Sequence, residues 1–225
     1  MRIGTRTHGT TGQAGFTLAE IAIVLVIISL LLGGVLKGQE LINSAKVKNL
    51  AQDFRVIPTL IYAYQDKFHA LPGDDGRAET HLCTTATPAC TSPGDANGMI
   101  DGAWNAEAAA SPTESVRFWQ HVRLANFATG PTAIDDPNYL PLNSNGGRLG
   151  VQSGANAPLA LNGAYVVCSA AIAGKYVRQL DDTLDDGDPQ TGSMRAGTVS
   201  GTALTPISAA TPLDEGQAYV VCMGI

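Results

Sequence analysis

One segment constrains this chain more than any other. From Phe16 to Leu36 the sequence reads FTLAEIAIVLVIISLLLGGVL, and Glu20 is its only ionisable side chain. As an α-helix these residues rise about 32 Å, close to the hydrocarbon thickness of a bilayer, about 30 Å. The preceding stretch, MRIGTRTHGTTGQAG, holds Arg2 and Arg6 and no acid. Such a charge bias keeps the N-terminus cytoplasmic and sends the C-terminal part across the membrane. An ordinary secretory signal has a shorter apolar core with a small-residue cleavage site after it. Here Gly15 lies before the apolar run, so a cut there leaves the helix on the mature chain.

Glu20 needs an account. A carboxylate inside a membrane helix costs about 2–3 kcal/mol on insertion scales and usually has a partner. One reading places it at the lipid headgroups, favoured by the positive end of the helix dipole. The other gives it a cationic partner. The string GFTLAEIAIVLVIISLLLGG resembles the N-terminal cleavage and methylation motif of type IV prepilins and type II secretion pseudopilins. The resemblance implies that a membrane prepilin peptidase cuts after Gly15 and methylates the new terminus, Phe16. It also implies that Glu20 pairs with that amine on a neighbouring subunit, an attraction much stronger in a low-dielectric setting than in water.

Beyond Gln39, apolar residues recur at Leu41, Ile42, Ala45, Val47, Leu50, Ala51, Phe54, Ile57, Leu60, Ile61, Tyr64 and Phe68. Spacings of three and four put them in one stripe, so the helix is expected to continue and to pack its second half on a sheet. Gly33 and Gly34 weaken it locally, and Pro58 is expected to kink it. The resemblance implies a melted stretch in filaments, for which the glycine pair is the candidate. Leu71-Pro72-Gly73 ends the helix.

The rest reads as an exported α+β domain rich in loops. LPGDDGRAE, DANGMIDGAWNAE and SVRFWQHVRLANF resemble the region after the long helix in certain pilin-like proteins. Ser115 to Phe127 has helical spacing, Ile172 to Leu184 a second helix, and Trp104 and Trp119 are expected in the core. The string AYVVC occurs twice, at Ala164–Cys168 and Ala218–Cys222, each β-branched and aromatic and so a strand. Two like strands ending in cysteine suggest a Cys168–Cys222 disulfide, and Cys83–Cys90 then closes a small loop. His81 with Cys83 and Cys90 lacks an evident fourth ligand for zinc. Asp95, Asn97, Gly98 and Asp101 have part of a calcium-loop rhythm, but Trp104 stands where the bidentate glutamate belongs. Asp181, Asp182, Asp185, Asp186 and Asp188 gather at a helix C-terminus, where the macrodipole disfavours negative charge. Calcium at Asp185, Asp186 and Asp188 would relieve it; no other cofactor is expected.

Removing residues 1–15 takes two of the 14 basic side chains and leaves 12 against 20 acids, a net charge of −8. An acidic chain without a basic stripe gives little reason to bind nucleic acid. The sequence has no GxSxG, HExxH or phosphate-cradling glycine loop, so no enzyme is expected. The organisation read from the chain is a leader (1–15), a transmembrane and filament-core helix (16–37), its amphipathic continuation (38–71) and an exported domain (72–225). Its partners would be the prepilin peptidase, other pilin subunits with their assembly machinery, and the inner membrane before assembly. The functional expectation is a structural subunit, of the minor-pilin kind, of a type IV pilus-type filament. Alternatives are a pseudopilin in a periplasmic filament and a filament-borne adhesin.

Overall fold

The computed structural model describes residues 15, 17–87, 90–109, 111–200, 203–208 and 213–225. The expected leader, apart from Gly15, and the expected methylated residue Phe16 lie outside them. The chain divides into two compact units between Asn43 and Ser44.

Helix α1 (Leu18–Phe68) runs 51 residues, unbroken through Gly33, Gly34 and Pro58. Proline cannot donate the amide bond to the carbonyl four residues earlier. One position on, the Thr59 hydroxyl donates to the Arg55 carbonyl at 3.2 Å. The helix stops where His69 turns to a positive φ of 53° and its amide bonds back to the Gln65 carbonyl, an αL ending of the kind usually made by glycine or asparagine.

Within the second unit the stripe on α1 is buried from Val47 to Tyr64. Leu41 and Ile42, expected in the same stripe, are exposed. Phe54, Leu50 and Tyr64 are wholly buried, and Phe54 and Leu50 share one cluster with residues of the sheet and of the helices after it.

That sheet has five antiparallel strands: β1 (Leu149–Ser153), β2 (Tyr165–Ala173), β3 (Met194–Ser200), β4 (Ala203–Pro206) and β5 (Ala218–Gly224). Their spatial order is β1-β2-β5-β3-β4. Three further α-helices, α2 (Ala78–Leu82), α3 (Glu114–Leu124) and α4 (Gly174–Leu184), and two 3-10 turns, Gly154–Asn156 and Pro158–Ala160, complete the described elements. The period of two along a strand sorts the side chains onto two faces. Val151, Val167 and Val221 join the cluster of α1, whereas Val166, Cys168, Val220 and Cys222 join a second cluster with Leu159 and Leu161.

Both AYVVC segments are strands, adjacent in the sheet, with Cys168 directly opposite Cys222. Their sulfurs are bonded, as are those of Cys83 and Cys90. Two boundaries differ from the sequence reading. Ile172 belongs to β2, not to the following helix, because its backbone resumes the ladder opposite Tyr219 after an irregularity. The helix expected to reach Phe127 ends at Leu124, where Asn126 takes a positive φ of 63°.

The two disulfides close chain loops of very different length, with separations of 54 and 7 residues. Loop-closure entropy therefore assigns about 4 kcal/mol to Cys168–Cys222 and about 2.5 kcal/mol to Cys83–Cys90. Urea unfolding of paired cysteine-to-alanine variants should show the larger loss for positions 168 and 222. A larger loss for 83 and 90 would mean that chain entropy does not govern these bridges.

Candidate functional site

At the start of α1, Thr17 and Glu20 cap the helix reciprocally. The Thr17 amide and hydroxyl both donate to Glu20 Oε2 at 2.8 Å, and the Glu20 amide donates to Thr17 Oγ1 at 3.2 Å. The pattern Thr-x-x-Glu before an apolar run is a capping box, so this role of Thr17 was open to a sequence reading that looked only at the glutamate. From Ile21 to Leu36 the helix is exposed on every side, with Leu30 at 72% and Leu36 at 66%. The next charges are Lys37 and Glu40, paired with each other at 2.7 Å. The helix is long and apolar enough to cross a membrane, and its apolar window has no burial of its own.

In the second unit, polar side chains hold the loops around α2 and α3. Asp75 accepts hydrogen bonds from the Tyr64 hydroxyl at 2.8 Å and the Arg77 amide at 2.9 Å, with His81 Nδ1 at 2.6 Å. Burial pushes its pKa up, but these three bonds and the His81 charge outweigh burial and hold it below the usual carboxylate value. His121 is completely buried. Its Nδ1 accepts the Gly73 amide at 3.0 Å, which leaves the proton on Nε2, facing the Ser92 carbonyl at 3.3 Å. Burial, with Arg117 adding to it, drives the His121 pKa down to about 4 against the opposing Ser92 carbonyl and Asp75 charge.

Among the described residues, two carboxylate groups are close enough to hold a metal ion: Asp74 with Asp95 and Glu114, and Asp181 with Asp185 and Asp186. In the first, Asp74 accepts the Asn97 and Gly98 amides, and Glu114 accepts those of Asp95 and Asp101. Burial, aided by the Glu114 charge, raises Asp74 to about 6. In the second, burial and the charges of Asp186 and Asp185 raise Asp181 to about 7. Asp188, expected among the calcium ligands, is not in this group. Its carboxylate instead accepts the Gln190 amide at 3.2 Å in a local turn. Asp181, a helix residue, takes its place because the helical repeat carries it back under the loop.

Trp119 is buried at 5% exposure, but Trp104 is half-buried, a correction to its expected place in the core. Its carbonyl lies so close to β1 that a Cβ at position 150 would fall 1.9 Å from it, which requires the glycine found there. The Trp104 segment is thereby held at the sheet surface, beside a groove lined by Met99, Pro158, Val199 and Leu204.

Residues 10–36 match the family described as the prokaryotic N-terminal methylation motif, the prepilin motif of type IV pilins and pseudopilins. The chain matches no curated protein and no solved structure.

His121 carries a pH prediction. It titrates near 6.5 when unfolded and near 4 when folded, so its contribution is complete above 6.5 and is lost as pH falls toward 4. The shift corresponds to about 3 kcal/mol. In urea unfolding, the advantage of wild type over His121→Gln should shrink by about that amount between pH 7 and pH 4. A gap independent of pH would mean that His121 is not held neutral.

Proposed function

Taking the methylation motif at residues 10–36 as premise, we propose that this chain is a pilin-like structural subunit of a type IV pilus-type filament, of the minor-pilin kind. The observation that carries the reading is the apolar first part of α1, which buries no residue of its own from Ile21 to Leu36 while Glu20 stands at its start. A prepilin peptidase would cut between Gly15 and Phe16, leaving a methylated amine at the head of the helix. Before assembly the bilayer solvates that helix, with the Ser44–Ile225 unit on the periplasmic side. In the filament, neighbouring helices replace lipid and Glu20 pairs with the Phe16 amine of an adjacent subunit. The capping bonds from Thr17 fall on Oε2 and hold the carboxylate at the helix head, where such an amine arrives. The two disulfides suit a domain displayed outside the cell. The groove beside Trp104 supports a second reading, in which the filament also carries a binding surface.

Expression beside an active prepilin peptidase should give a mature chain that begins at Phe16 by mass spectrometry. Glu20→Val should be processed normally, because the cleavage junction is unchanged. Its incorporation into sheared filaments should fall steeply, since an amine stripped of its partner in a buried pair costs about 3–5 kcal/mol per subunit. Normal incorporation of the variant would reduce Glu20 to a headgroup contact, and a mature chain lacking the helix would end the filament reading altogether.

A further inference from the structure

The backbone around Trp104 is fastened to β1 at several points. Gly150 admits the Trp104 carbonyl to the strand. The buried Gln152 side chain accepts the Trp104 amide on Oε1 and donates through Nε2 to the Asn156 carbonyl, both at 2.9 Å. Ser153 Oγ accepts the Ile100 amide at 2.6 Å, and the Ser153 amide donates to the Ile100 carbonyl at 3.0 Å. Both sides of the groove are therefore held to one strand. Yet the Trp104 ring stays half out. A large apolar ring kept there forgoes part of its burial energy. In return it is a platform that needs little ordering when a ligand arrives.

We propose that this groove binds a neutral carbohydrate, with the Trp104 ring against one face of a pyranose and the Asn105 and Asn156 amides meeting its hydroxyls. The proposal rests on the reading in which the filament carries a binding surface, and it names the class of ligand that surface takes. The groove spans about 680 Å³, inside the range of small-molecule sites, about 300–1,000 Å³. Met99, Pro158, Val199 and Leu204 supply apolar walls, which suit the C–H face of a sugar ring. Asn105 and Asn156 line the same groove and are exposed, and neither side-chain amide bonds to a described residue. A side-chain amide offers a carbonyl acceptor beside two N–H donors, and a hydroxyl both donates and accepts, so the two are matched. Charge argues against an anionic ligand. Among the described lining residues there is no lysine, arginine or histidine, so a phosphate or carboxylate would lack the cation that binds it best. Asp101, the lining carboxylate, already accepts the Asn97 side-chain amide at 2.9 Å and would repel an anion.

The test uses the full chain, in a detergent without a sugar headgroup, labelled with a heavy nitrogen isotope for NMR. The two tryptophans of the sequence give two indole N–H signals, and Trp104→Phe assigns them. Cellobiose, lactose, mannobiose and chitobiose are each titrated to tens of millimolar. At least one should move the Trp104 signal while the signal of buried Trp119 stays in place. Trp104→Ala should weaken that sugar by about tenfold, the scale of one aromatic contact. Asn156→Ala should weaken it several-fold, and an unchanged Trp119 signal in both variants shows the fold intact. No movement with any of these sugars, or undiminished affinity in Trp104→Ala, overturns the assignment. A Trp104 signal moved only by an uncharged tetrapeptide of valine, leucine and proline overturns the sugar and leaves the binding-surface reading standing. Silence toward sugars and peptide alike ends both, whereas incorporation into filaments is measured separately and is touched by neither result.

Discussion

Leu25, Leu30 and Leu36 keep 59%, 72% and 66% of their surface open on a helix with no apolar partner of its own. Each such side chain left in water forgoes about 1.5–3 kcal/mol of burial, and the loss recurs along the run from Ile21 to Leu36. A folded water-soluble chain cannot carry that surface. Lipid or other helices must therefore cover it, and the remaining features of the N-terminus derive from this requirement. Charge is confined to the edges of the run, at Glu20 and at the Lys37–Glu40 pair. The backbone of the run is satisfied internally by the helix, as a bilayer demands. Gly33 and Gly34 are accommodated without a break.

The same helix changes partners along its length. Up to Ile42 its large apolar residues are exposed, and from Val47 to Tyr64 an apolar stripe is buried while Val56 and Tyr62 stay outside it. Lys46 and Arg55 border the stripe and are used locally. Lys46 Nζ lies 5.9 Å from the Tyr176 ring centre, and Arg55 donates to the Thr183 carbonyl. The second unit thus takes its core from a helix segment that would be only an amphipathic continuation without the sheet. The core depends on that segment as much as the segment depends on it. Leu50 and Phe54 are wholly buried in a cluster that reaches Val151, Val167 and Val221, far away in sequence.

Legibility in the sequence followed the strength of the local signal. The apolar run, the α1 stripe and the two AYVVC strands each repeat a period that few alternatives share, and each has the element expected of it. Strand β1 (LGVQS) has too few apolar residues to announce itself, and β3 and β4 contain glycine, threonine and proline. Their strand character comes from pairing, β1 with β2, β3 with β5 and β4 with β3, a tertiary effect absent from the local string. β2 ran past its expected end because the chain resumes pairing at Ile172 after the irregularity, with Ala171 at φ 55°. At the acidic loop, proximity in sequence suggested Asp188, whereas three-dimensional proximity selected Asp181, one helical turn before Asp185. Trp104 was misplaced for a related reason. Its size argued for the core, but Gly150 admits its backbone to the sheet and leaves the ring half out.

Among the described residues between α1 and β1 there are two short helices, so most backbone donors there cannot be satisfied by regular structure. Buried polar side chains take over that role. Glu114, in the first turn of α3, accepts two loop amides while sitting at the favourable end of the helix dipole. Asp74 accepts two more, and Asp75 ties Tyr64 of α1 to Arg77 and His81. Arg123 donates to the Pro131 and Tyr139 carbonyls, anchoring the segment after α3, and the Tyr139 hydroxyl returns a bond to Val116. A buried charge is tolerable when its hydrogen-bonding capacity is filled, and here the unpaired amides and carbonyls of the loops fill it. The loops and the charges each remove the other's desolvation cost. For that reason a region poor in helix and strand can close over the α1 stripe.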